Sequence, residues 1–136
     1  MANALYTLAK KAFLDGSIAL LTDNIKVVLV DAGTYTVNLA TDQFLSDIPV
    51  GARIATSANL AGKVTTGGVF DATDATFASV TGASCEYYVV YKDTGVAATS
   101  PLIVFFDTAT GLPITPNGAD INLAFDNGAN KILALT

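Results

Sequence analysis

The chemistry open to this sequence is that of carboxylates. The segment "DATD" sets Asp71 and Asp74 three positions apart, and Asp107, Asp120 and Asp126 fall near the ends of strand-like runs. Such oxygens could serve calcium. The D-x-[DN]-x-[DN]-G loop with its distal glutamate is absent, and the one glutamate, Glu86, lies inside an apolar run. Aspartate also bonds its own backbone in turns, so turn formation is the favoured reading of these residues. Histidine is missing altogether, which removes the commonest general base and transition-metal ligand. Ser-His-Asp and Cys-His arrangements are therefore impossible. The single cysteine, Cys85, can build neither a structural zinc site nor an intramolecular disulfide. In its apolar setting it reads as a small core residue rather than a nucleophile. No catalytic, cofactor-binding or metal-ligating residue nominates itself.

Two further patterns fall short of a site. The glycine-rich "TTGGVF" and "TGLPITPNG" carry no Gly-Lys-Ser/Thr and precede no helix, so neither reads as a phosphate cradle. Tyr87, Tyr88 and Tyr91 could stack on bases or sugars. Without a basic groove beside them, core packing is the better account. The formal charge is −5, and the seven basic residues are dispersed apart from Lys10–Lys11. A nucleic-acid protein shows a basic stripe, so direct DNA or RNA binding is disfavoured. No run approaches the apolar length of a membrane span, and the lysines near the chain start follow the apolar residues, the reverse of secretory order. Synthesis and folding in a cytoplasm is the expectation.

The elements that must carry these residues are mostly strands. Leu5, Leu8, Ala9 and Ala12 recur at helical spacing, with Asn3, Lys10 and Lys11 off the stripe, and predict a helix within residues 2–14 that Gly16 terminates. From residue 25 to 136 antiparallel strands are expected. "IKVVLV" (25–30) suits a central strand. "TDQFLSDIP" (41–49) predicts a short helical turn capped by Thr41 and ended by Pro49. Strands are expected in "ARIATSANLAG" and "KVTTGGVFDA", with Gly62 and Gly67–Gly68 as punctuation. "DATFASV" (74–80) alternates, with Ala75, Phe77 and Ser79 on one face. In "EYYVVYK", Tyr87, Val89 and Tyr91 share one face and Tyr88 and Val90 the other. In "LIVFFD", Leu102, Val104 and Phe106 are expected to oppose Ile103 and Phe105. "DINLAFD" directs Ile121, Leu123 and Phe125 inward and Asp120, Asn122 and Asp126 outward, and "NGAN" predicts a hairpin turn before "KILAL".

The expected fold is one mainly β domain over 1–136, an antiparallel sandwich or barrel-like body with a short N-terminal helix. Strands apolar on both faces need covers on both sides. The opposite sheet supplies one, and the helix or a neighbouring chain is expected to supply the other. With 51% hydrophobic and only 14% charged residues, surface covered by a partner is also plausible.

"LVDAGTYTVNLATDQFLSDIP", "GGVFDATDATF", "YYVVYKDTGVAATSPLIVFFDTATGLPITPNGADI" and "FDNGANKI" resemble, in this order, segments of small virion structural proteins of tailed bacteriophages. The resemblance is strongest from Phe70 to Leu133, and many of those proteins carry tryptophan where this chain has Phe77. It implies a β-rich, non-enzymatic particle protein with no catalytic residues and no cofactor to transfer. The expected role is a capsid decoration (cement) protein on the virion, assembled in the host cytoplasm. Its expected partners are copies of itself, as a trimer or dimer, and the major capsid protein or other virion proteins. A tail, neck or baseplate component is the alternative, and a carbohydrate-binding host-recognition module is the rival from another class. The helix is the expected bridge to the shell.

Overall fold

The computed structural model describes residues 4–107, 112–123, 125 and 132–134. Ala4–Leu5 forms β1, Thr7–Leu14 α1, Ile25–Val30 β2, Arg53–Thr56 β3 and Val64–Thr66 β4. Val69–Asp71 forms β5, Ala75–Phe77 β6, Tyr87–Lys92 β7, Leu102–Phe106 β8, Ile121–Leu123 β9 and Leu133–Ala134 β10. The protein is mainly β and antiparallel, with this single short α-helix among the described residues. A five-stranded sheet runs β1-β8-β7-β2-β3, a three-stranded sheet β10-β5-β4, and β6 pairs with β9. No closed barrel forms among the described residues.

The central strands are the three that the sequence makes apolar on both faces. In β2, β7 and β8 every residue but Lys26, Tyr87 and Lys92 is buried. One face, with Val27, Leu29, Tyr88, Val90 and Phe106, packs against Phe70, Ala75, Phe77, Leu123 and Leu133 of the smaller sheets. The other face, with Val28, Val30, Val89, Tyr91 and Phe105, is covered by Tyr6 and Ala9 and by Tyr35, Leu45, Ile48 and Ala52. The second cover is thus mostly the long connection between β2 and β3, a layer without regular strands. The chain itself closes both faces, and no neighbour is needed to dry the sheet.

The faces of β7 follow the expected alternation, whereas those of β8 do not. The register slips at Val90/Tyr91, so that Val90 pairs Val104 while Tyr91 pairs Leu102. Ile103 is the extra residue of a bulge, and bulges reset which way the following side chains point. Leu102 therefore lies with Phe105 rather than with Val104 and Phe106.

The helix begins later than its stripe suggests. Ala4 and Leu5 pair with Phe105 and Val104 as an edge strand, because β8 offers them backbone partners that a first helical turn would leave unmade. Its end is as expected. Gly16, at φ +77°, donates to Phe13 O, and Ser17 donates to Ala12 O, the paired bonds of a Schellman stop. The turn expected at 41–49 is a 3₁₀ turn, Leu45–Asp47, and its cap is not Thr41. Asp47 takes that role, accepting the Gln43 and Phe44 N–H groups at 2.7 and 2.9 Å.

Gly67 and Gly68, expected as punctuation, both have positive φ and join β4 to β5 in a two-residue hairpin. Leu123 and Phe125 are buried and Ile121 is half-buried, with Asp120 and Asn122 outside. Asp126 and the "NGAN" turn lie outside the described residues. Beyond them, β10 pairs with β5.

Candidate interaction surface

The aspartates do what turn residues do. Asp31 accepts the Gly33 N–H, Asp93 the Gly95 N–H, and Asp23 the Ala19 N–H. Asp74 reaches across to the Phe125 N–H at 3.0 Å and Asp120 to the Ser79 N–H at 2.8 Å, so both fasten β6 to the β9 region. Asp71 stands in β5 opposite Val64. Among the described residues no group of three or more acidic or cysteine side chains is placed to hold a metal ion. Glu86 is engaged too, its carboxylate accepting the Ala32 N–H at 2.9 Å.

Cys85 is fully buried, and burial with the nearby Glu86 and Asp31 charges pushes its thiol up to about 11. A thiol so held stays protonated near neutrality and is a poor nucleophile. Tyr88 and Tyr91 are buried as well, Tyr88 stacking on Phe106 with ring centroids 4.4 Å apart. Tyr87 is half-buried, edge-on to Phe105. Tyr88 and Tyr91 are core rings, and only Tyr87 of the three keeps part of its surface outside.

No sequence pattern marks the most developed polar arrangement. Tyr35 Oη donates to Asp42 Oδ2 at 2.6 Å, and Tyr6 Oη donates to Tyr35 Oη at 3.0 Å. Asp42 also accepts the Asn38 N–H at 2.9 Å. Burial raises both tyrosine pKa values far above the ordinary phenol range. The hydroxyls act as neutral hydrogen-bond donors, and the chain of bonds pins the residue before α1 to the covering layer. "GTYTV" shows one aromatic between threonines, with no periodicity to mark it as buried.

Paired charges and a cleft lie at one end of the five-stranded sheet. Lys92 Nζ bonds Ser17 O at 2.9 Å and lies 3.2 Å from Asp23 Oδ2, and Lys26 pairs Asp93 at 2.7 Å. The Lys26 ammonium and the Gly95 N–H hold the Asp93 carboxyl below its usual range. These ties draw the end of α1, the 17–24 loop and the 93–101 loop together around a cleft of about 340 Å³. Lys11 and Lys92 line it, yet Lys11 is already paired with Asp15 at 2.6 Å. Both cations are committed, so the cleft offers no free charge to an anion. The same three segments carry Leu14, Leu21 and Val96, exposed by 89%, 51% and 57%. These segments thus carry exposed apolar side chains beside cations that are already paired.

No helix among the described residues is long and apolar enough to cross a membrane. No protein-family model matches the chain, and no curated protein is significantly similar to it. The likeness to phage virion proteins rests on the segments quoted above.

Proposed function

We propose that this chain is a non-enzymatic structural protein of a tailed-bacteriophage virion, and that it serves as a capsid decoration protein stabilising the head. The observation that carries the reading is where the polar groups are spent. Tyrosines lie in the core, most described aspartates cap backbone, and the lysines at the sheet end are paired. What is left for function is an outer surface of small, uncharged and scattered apolar side chains, suited to burial against other protein. The partners are further copies of the chain and the shell of major capsid protein, met in the host cytoplasm during assembly.

The attachment element differs from the one expected of the sequence. Tyr6 is fully buried and Ala4–Leu5 belongs to the sheet, which argues against residues 4–14 serving as a detachable arm. The sheet end with Leu14, Leu21 and Val96 takes that place. Each large side chain buried there contributes about 1.5–3 kcal/mol at best. That is weak for one copy and substantial when contacts repeat over a lattice.

The test is to heat filled heads with and without the protein and follow DNA release. Decorated heads should hold their DNA to a higher temperature, and Leu14→Asp with Val96→Asp should abolish attachment while leaving the fold intact. Heads equally robust without the protein, in particles that fail to adsorb or to join tails, would instead make it a tail or baseplate component.

A further inference from the structure

Asn117 and Asn127 each precede a glycine, and that pair of residues has a chemistry of its own. Glycine carries no Cβ, so nothing shields its backbone nitrogen from the asparagine side chain before it. On giving up its proton, that nitrogen attacks the asparagine Cγ. The N–Cγ bond forms, the Cγ–Nδ2 bond breaks, and the amide nitrogen leaves with the proton as ammonia. Water then opens the resulting succinimide at either carbonyl. One opening gives aspartate, and the other gives isoaspartate, with the backbone rerouted through the β-carbon. Only water is consumed. Asn127 lies outside the described residues, whereas Asn117 lies within them and is exposed.

At Asn117 the attacking nitrogen is engaged. Gly118 N–H donates to Val80 O at 2.7 Å, Val80 N–H returns a bond to Ala119 O at 3.2 Å, and Ser79 N–H donates to Asp120 Oδ1 at 2.8 Å. The asparagine side chain is held as well, its Oδ1 accepting the Ala119 N–H at 3.0 Å. Residues 118–120 are thus clamped onto residues 79–80, where Val80 is buried. An N–H bonded to a carbonyl gives up its proton less readily, and a pinned nitrogen does not reach Cγ. The clamp also stores strain, since Ser79 stands at φ +50°, left-handed for a residue with a side chain.

We infer that Asn117 is a site of spontaneous deamidation, gated by the clamp between residues 79–80 and 118–120. The reaction advances only while the clamp is open, so its rate follows a local opening rather than global unfolding. The isoaspartyl product then keeps the clamp from closing again. Cys85 and Ile114 exchange backbone bonds at 2.7 and 2.8 Å, which fixes the chain just ahead of Asn117. An extra backbone methylene between that anchor and Gly118 moves the Gly118 N–H out of register with Val80 O. The change is one-way, and it adds a negative charge to a chain that already carries −5. Aged protein therefore differs from new protein in charge and in its hold on residues 79–80.

The test follows the full-length chain by peptide mapping during incubation at mildly alkaline pH, folded and in guanidinium. In guanidinium Asn117 and Asn127 should lose ammonia at similar rates. In the folded chain Asn117 should react slower than in guanidinium by about tenfold or more. Asp120→Ala removes the acceptor of the Ser79 N–H and should speed the folded-state reaction about tenfold, with little change in melting temperature. Ser79→Gly relieves the left-handed strain and should slow it. Chains with isoaspartate at position 117 should exchange the Val80 and Gly118 amide hydrogens faster than unreacted chains. Equal rates at Asn117 in the folded chain and in guanidinium, or a folded-state rate that neither variant moves, would overturn the gating. An Asn117 that stays intact in the folded chain even with Asp120→Ala would overturn the site itself.

Discussion

Tyr6 gives its hydroxyl proton to Tyr35, and that one bond joins the residue ahead of the helix to the layer that covers the central sheet. Because Tyr35 in turn donates to Asp42, the two tyrosines are not equivalent. Tyr6→Phe removes one neutral hydrogen bond and should cost about 0.5–1.5 kcal/mol. Tyr35→Phe leaves the buried Tyr6 hydroxyl without its acceptor and should cost more, about 1–3 kcal/mol. Urea titrations of the two variants check the order, and a smaller loss for Tyr35→Phe would mean that the bond chain is not what fastens the layer.

Removing residues 1–14 should unfold the protein. The deletion takes away β1, the fully buried Tyr6 and Ala9, and with them part of the cover over Val89 and Phe105. Circular dichroism of the truncated chain gives the answer. A folded truncated domain would return the segment to the role of a detachable arm.

Val89→Asp should abolish folding. Val89 is fully buried between β2 and β8, and an unpaired carboxylate there costs several kcal/mol, against a domain stability of about 5–15 kcal/mol. Soluble expression with an unchanged spectrum would show this face to be open to water.

Alkali should unfold the protein cooperatively. Burial raises Tyr6 and Tyr35 well above the phenol range and raises Tyr91 to about 12. Groups whose folded pKa is raised lend full stability below the unfolded value, near 10, and lose it as pH climbs beyond. Above pH 10 each tyrosine kept neutral should cost about 1.4 kcal/mol per pH unit. Phenolate absorbance should appear together with loss of the far-ultraviolet signal, and tyrosines that titrate in the intact fold would contradict their burial.

Acid acts through Asp93 with the opposite sign. Its carboxyl is held low by Lys26 and the Gly95 N–H, so its contribution is present above the unfolded aspartate value near 4 and is lost as pH falls below that. Asp93→Asn should therefore be less stable than the parent at pH 6, with the gap closing towards pH 2. A gap that stays constant would mean that the ion pair with Lys26 does not contribute.

The strand cores were legible because period-two alternation and β-branched runs report local backbone geometry. "IKVVLV" falls at the central strand β2, and "EYYVVYK" at β7 with its faces as expected. The helix start was not legible, since Leu5 satisfies a helical stripe and only its distant partner Val104 makes it a strand. Nor was the bulge at Ile103, because a one-residue slip leaves no mark in composition. The second cover escaped for a similar reason. Tyr35, Leu45, Ile48 and Ala52 are scattered through turns, with no period to betray a common buried side. For the candidate surface, the turn role of the aspartates and the core role of Cys85 could be read from residue type. The cleft end depends on three loops brought together by Lys92 and could not.

The pairing of Ala4 with Phe105 also sets when the protein can exist as a folded body. The edge strand at the start of the sheet has to wait for roughly a hundred further residues before its partner is made, and such distant closures slow folding. A growing chain therefore passes through synthesis with Tyr6 and the central strands still uncovered. Nascent fragments lack the closed outer surface of the finished fold. The topology withholds the folded shape until translation has passed β10, whose Leu133 joins the cover on the opposite face of the sheet.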